Sequence, residues 1–154
     1  MSTLVVGADP GMTTGLFHFT VEDGTITHPV AIQIHGHEGV VPLVRCLISR
    51  REPGDGLLLA VEQFIVGGRA HRSSTPGAGK ITRDLIGALL DLDTDAVVHP
   101  AGHVKPWATD RMLEAAGLLK PCDQMRHAKD AARHALFAAV AGGLVRNPLS
   151  KAAV

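Results

Sequence analysis

Two short apolar runs, each closed by an acid, constrain this chain most: Leu4 to Ala8 leads into Asp9, and Leu57 to Val61 leads into Glu62. Five consecutive apolar residues read as a strand buried on both faces, the kind found inside a sheet covered by helices. A carboxylate at the end of such a strand is costly to bury unless it is paired or holds a cation, which singles out Glu62 above all. Asp9 has a second reading, because Pro10-Gly11 follows it and Asp commonly opens turns.

Around these runs the chain alternates strand and helix signals. Gly15 to Val21 alternates as a second strand, Glu22-Asp23-Gly24-Thr25 is a hairpin turn, and Ile26 to Ile34 is a third strand with Pro29 at an edge or irregular start. Val40, Val41, Val44, Leu47 and Ile48 fall at helical spacing within His37 to Arg51, and Pro53-Gly54-Asp55-Gly56 stops that helix. Residues 66–79 read as a loop of small and basic residues, after which helical spacing returns from Lys80 to Leu92. Ala96 to His99 is a short fifth strand. Helices are predicted from Ala108 to Ala116 and from His127 to Val140, the second ended by Gly142-Gly143. The order β-β-β-α-β-α-β-α predicts one α/β domain over residues 1–146, with a loose tail over 147–154.

Composition narrows the function classes. Hydrophobic residues make up 45% and charged residues 19%, which argues against long disorder. No apolar run approaches the roughly 20 residues of a membrane span, and Met1-Ser2-Thr3 shows no secretory pattern, so an intracellular protein is expected. Cys46 and Cys122 lack the clustering of a zinc or redox site and are expected as reduced thiols in or near the core. Net charge is zero, yet residues 1–59 hold three Lys and Arg against six Asp and Glu, while residues 60–154 hold twelve against nine. A basic face for phosphates is compatible with that distribution.

His127 and Asp130 stand three apart at the start of the last, Ala-rich helix and so share a face. With Asp9 and Glu62 they offer three hard oxygen donors and an imidazole. Phosphodiester hydrolysis needs an activated water, in-line attack and a neutralised leaving oxygen, which a metal pair about 3.5–4 Å apart provides. His127 is an unusual partner for Mg²⁺; it favours Mn²⁺ or a role as proton carrier. The plainer alternative makes Asp130 an acid favoured by the helix dipole and His127 its surface neighbour.

These residues also carry a family resemblance. Asp9-Pro10-Gly11-Met12-Thr13-Thr14-Gly15 resembles the first motif of RuvC-type Holliday junction resolvases, and Glu62-Gln63 resembles the acid ending their fourth strand. His127-Ala128-Lys129-Asp130-Ala131-Ala132-Arg133-His134-Ala135 resembles their catalytic helix, and Val104-Lys105 a basic position. The resemblance implies an RNase H-like fold with a five-stranded mixed sheet flanked by helices. It implies a Mg²⁺- or Mn²⁺-dependent endonuclease with Asp9, Glu62, His127 and Asp130 as catalytic, metal-ligating residues. Branched DNA, above all a four-way junction, is the implied substrate, and a homodimer would match its two equivalent strands.

Candidate DNA contacts follow from charge and position: Arg69, Arg72, Lys80 and Arg83 after Glu62, then Lys105, Arg111 and Lys129. Phe64 is either a base-stacking residue or part of the core. Pro76-Gly77-Ala78-Gly79-Lys80 is not a P-loop, since Ile81 replaces the Ser or Thr and Ser74 the first Gly. His35 and His37 lack a third ligand and read as surface residues. Two other functions compete. Asp9-x-Gly11-x-Thr13-x-Gly15 resembles the phosphate-binding opening of actin-like and sugar kinases, and a non-catalytic RNase H-like partner protein would share the strand order.

Overall fold

A computed structural model describes residues 1–65 and 77–150. Its centre is a mixed five-stranded sheet in the order β3-β2-β1-β4-β5. β1 (Ser2–Asp9), β2 (Thr13–Glu22) and β3 (Thr25–His35) form an antiparallel meander, and β4 (Gly56–Gln63) and β5 (Val97–Pro100) extend β1 in parallel. The parallel connections pass through α1 (Val40–Ser49) and α2 (Ala78–Leu90), as parallel pairing requires. After β5 come α3 (Ala101–Trp107), α4 (Asp110–Ala115), a 3-10 turn (Lys120–Cys122) and α5 (Arg126–Ala141).

Alternation along the strands divides the core in two. Val6, Ala8, Leu16, Leu59 and Val61 face one side and pack with Val40 and Val44 of α1 and Leu85 and Leu89 of α2. Val5, Phe17, Phe19 and Val21 face the other side and pack against Ala131, Ala132, Ala135, Leu136 and Ala139 of α5. Among the described residues, no helix is long and apolar enough to cross a membrane. Both cysteines are free thiols; Cys122 is buried, which pushes its thiol up to about 11.

The five-stranded mixed sheet and the helices on its two faces agree with the sequence pattern, while several boundaries move. α2 begins at Ala78 rather than Lys80, so the end of the predicted loop is helical. The helix expected from Ala108 begins at Asp110, because Thr109 Oγ1 accepts the Met112 N–H at 3.3 Å and caps it. α3 was not anticipated: Gly102 and Pro106 break its pattern, but a helix of 7 residues places Pro106 in its last turn, where few intrahelical bonds remain to lose.

Candidate active site

Asp9 is the last residue of β1, and Glu62 is the last but one of β4. The strands are parallel neighbours with Ala8 opposite Val61, so the two acids stand side by side one residue further along. Alternation turns both toward the α5 side of the sheet, with Val5 and Leu58.

α5 reaches the acids because the sheet lacks side chains at two points beneath it. A Cβ on Gly7 would lie 2.1 Å from the Ala131 carbonyl oxygen, and one on Gly15 would lie 1.9 Å from that of His127. Gly15 is the register partner of Asp9, so the missing side chain lets the first turn of α5 settle beside the acid. Gln33 of β3 fastens that turn, its Oε1 accepting the His127 backbone N–H at 3.1 Å.

The side chains then meet. His127 Nδ1 lies 2.8 Å from Asp9 Oδ2. Lys105 of α3 donates from Nζ to Asp130 Oδ2 at 2.9 Å and lies 3.5 Å from Glu62 Oε2. Arg133 donates to Asp130 Oδ1 at 2.6 Å and also reaches Asp110 of α4. His134, fully buried, places Nε2 3.0 Å from Glu62 Oε2. Beside this cluster is a cavity of about 250 Å³ lined by Asp9, Pro10, Glu62, Phe64, Ala101 and Gly102.

Burial makes these charges strong. The Asp9, Glu62 and Asp130 side chains are 14%, 17% and 10% exposed, so water screens them weakly. Burial, followed by the nearby Glu62 charge, pushes the Asp9 carboxyl up to about 6 despite the hydrogen bond and charge of His127. Asp130 goes the other way: burial would raise its pKa, but Lys105 and Arg133 together hold it below the usual carboxylate value. Burial would likewise lower Lys105, and Asp130, Glu62 and Asp9 hold it above the usual lysine value. Asp130 is thus offset by neighbouring cations, whereas the charged form of Asp9 is not. Three carboxylates on rigid elements suit a hard divalent ion by donor chemistry. As the side chains stand, no three His, Cys, Asp or Glu among the described residues are set to hold a metal ion together, and the carboxylates of the cluster are engaged by His127, Lys105 and Arg133.

The four residues singled out in the sequence, Asp9, Glu62, His127 and Asp130, therefore lie in one place. Lys105 joins them at the carboxylates. Phe64 is half-buried at the cavity, near Gly79. Lys80 and Arg83 are exposed on α2, with Lys80 paired to Asp84. Arg111 is exposed on α4, and Lys129 pairs with Asp110 at 3.1 Å. Arg69 and Arg72 lie outside the described residues. Arg133 and Gln33 are not among the site residues that the sequence suggests, and His134 enters there only as the further His of the helix motif. His134 had a signal, since it follows His127 and Asp130 at i+7 and i+4 on one helix face. The Thr14 hydroxyl is engaged inside the β1–β2 turn, donating to the Gly11 carbonyl at 3.0 Å and accepting the Gly11 N–H at 3.3 Å.

No protein-family model and no curated protein matches this sequence. Among solved structures, T. thermophilus RuvC in complex with a Holliday junction substrate is similar, with a TM-score of 0.59 over 94% of this chain and 98% of that one at 19% identity. The chain has a RuvC-like fold. That likeness extends over almost the whole length of both chains, so the RuvC-like core includes the strand ends and the helix that bring the acids together.

Proposed function

We propose that this protein is a metal-dependent endonuclease that cuts branched DNA, with the four-way junction as its substrate. The observation that carries the reading is the convergence of Asp9, Glu62 and Asp130 at one end of the two central strands of a RuvC-like fold. Asp9, Glu62 and Asp130 would hold the divalent cations, Mg²⁺ or Mn²⁺. When bound, such a pair makes a water nucleophilic and neutralises the leaving oxygen. The raised Asp9 pKa supports the reading, because a nearby cation would favour the charged carboxylate that burial disfavours.

The remaining residues have distinct tasks. Asp9 orients the His127 ring through Nδ1, leaving Nε2 to meet either a cation or a proton of the attacking water. If His127 is a ligand, His127→Asp keeps activity and shifts preference toward Mg²⁺; a folded but inactive variant assigns it to proton transfer. Lys105, beside Glu62 and Asp130, is suited to meet the scissile phosphate at the carboxylates. Arg69, Arg72, Lys80, Arg83, Arg111 and Lys129 are proposed to contact phosphates along the arms, and Phe64 to stack on a base beside the cavity. A two-fold dimer fits the two equivalent strands of a junction. The apolar face of α5 is used by the sheet, so Ile86 and Leu90 on α2, only partly buried, are the better candidates for that contact. Such a protein works inside the cell, with DNA.

The internal hydrogen bonds of Thr14 favour this reading over a kinase-like phosphate loop, whose turn must offer its donors to the ligand. The test is cleavage of a synthetic four-way junction with Mg²⁺ or Mn²⁺, beside linear duplex, flap and RNA/DNA hybrid. Paired cuts near the junction centre are expected. Cleavage of hybrid alone would reassign the site to RNase H chemistry, and no cleavage of any substrate would defeat the nuclease reading.

A further inference from the structure

We infer that His134 is a positioning residue that fixes the Glu62 carboxylate for cation binding, an inference that rests on the nuclease reading. His134 is fully buried in the middle of α5, where a histidine is unusual unless satisfied. Among the described residues its one hydrogen bond is from Nε2 to Glu62 Oε2, at 3.0 Å. Nδ1 is buried with no partner among the described residues, so the arrangement that leaves no buried donor unpaired has the hydrogen on Nε2, donated to the carboxylate. Lys105 lies 3.5 Å from the same oxygen. Glu62 Oε2 is therefore held from two sides, while Oε1 accepts no hydrogen bond among the described residues.

The surroundings make the hold rigid. The α5 backbone cannot shift relative to the sheet without disturbing the contact at Gly7, one helical turn from His134. His99, the register partner of Glu62 on β5, packs its ring edge-on to Phe137 at 4.9 Å and closes the adjacent side. Glutamate has three rotatable bonds, and a carboxylate free to turn would lose affinity through the entropy of ordering it. A buried donor on one oxygen removes that freedom and leaves the other oxygen presented, the arrangement by which outer residues support metal-binding carboxylates.

The experiment compares His134→Gln with His134→Asn. The Gln amide reaches about as far as Nε2 and can still donate to Glu62; the Asn amide reaches only about as far as Nδ1 and cannot. Mn²⁺ binding is followed by calorimetry, beside the Mn²⁺ concentration for half-maximal junction cutting. Positioning predicts binding near wild type for Gln and weakening of roughly 10- to 100-fold for Asn. Equal Mn²⁺ affinity in the two variants would overturn the inference. Nitrogen NMR of the wild-type imidazoles gives a check independent of any variant: the hydrogen is expected on Nε2 with and without Mg²⁺, and finding it on Nδ1 would overturn the inference as well. Should wild type neither bind Mn²⁺ nor cut, the nuclease reading fails and takes this inference with it; should wild type do both while Asn equals Gln, only the role of His134 fails.

Discussion

The two faces of one sheet use the same strands for opposite ends. Toward α1 and α2, β1 and β4 present Val6, Ala8, Leu59 and Val61, an aliphatic layer without a charge. Toward α5, the alternate residues include Gly7 and Asp9 on β1 and Glu62 on β4, and the facing helix is rich in alanine and carries His127, Asp130 and His134. The first face buries aliphatic side chains throughout; the second buries Phe17, Phe19 and Leu136 away from the site, and where the strand ends carry acids, glycine and alanine bring backbone close to backbone. Both faces bury an apolar core, and the second also holds charge in place. A carboxylate such as Asp9, pushed up to about 6, is tolerated because the two apolar cores stabilise the fold independently of it.

Substitutions on the two faces should therefore separate activity from stability. The largest effect is expected from Glu62→Gln or Asp130→Asn, each lowering junction cleavage by about a thousandfold, the loss of several kcal/mol of charge stabilisation, while junction binding persists. Single-turnover rates check this, and a variant cutting at wild-type rate would remove its residue from the site. Leu59→Ala, fully buried on the opposite face, should cost about 3 kcal/mol in denaturant unfolding and leave the cleavage rate of folded protein unchanged.

Asp9 offers a pH test with a definite sign. Its folded pKa is about 6 against 3.8 in an open chain, so the folded state binds the extra proton; the stabilisation is complete below about 4 and lost as pH rises toward 6. At roughly 1.4 kcal/mol per pH unit, the charged form costs about 3 kcal/mol at pH 7 in metal-free protein. Asp9→Asn should therefore be inactive yet more stable than wild type at pH 7 by about 2–3 kcal/mol, with the gain vanishing near pH 4. Unfolding curves across that range check it, and a gain that grew toward low pH would contradict it. A smaller effect is expected from Gly15→Ala, whose Cβ would collide with the His127 carbonyl: about 1–3 kcal/mol of stability, together with slowed cleavage as α5 is pushed off Asp9.

How much of this was legible depended on distance along the chain. The apolar runs ending at Asp9 and Glu62 mark the central strands because strand burial is written in consecutive residues, and the i, i+3 spacing marks the helix face of His127 and Asp130. The contacts that make a site of them join residues far apart: His127 and Asp9 are 118 positions apart, and His127 and Gln33 are 94. No local pattern announces such pairs. Gly7 and Gly15 look like ordinary strand and turn glycines until the helix above them is known. Lys105 is legible as a basic residue, but its direction toward Asp130 depends on α3, a helix hidden by Gly102 and Pro106. His134 had the right spacing, and a buried histidine on an alanine helix reads equally well as core.

The central claim is that Asp9, Glu62 and Asp130 form one cation-binding centre on the α5 face. Anomalous scattering from a crystal of the protein equilibrated with Mn²⁺ tests it most directly. The account predicts a Mn²⁺ peak within coordination distance of Asp9, with Glu62 or Asp130 sharing the ion, and its disappearance in Glu62→Gln crystals. Mn²⁺ bound only elsewhere on the molecule, or no peak at these carboxylates at millimolar Mn²⁺, would contradict it.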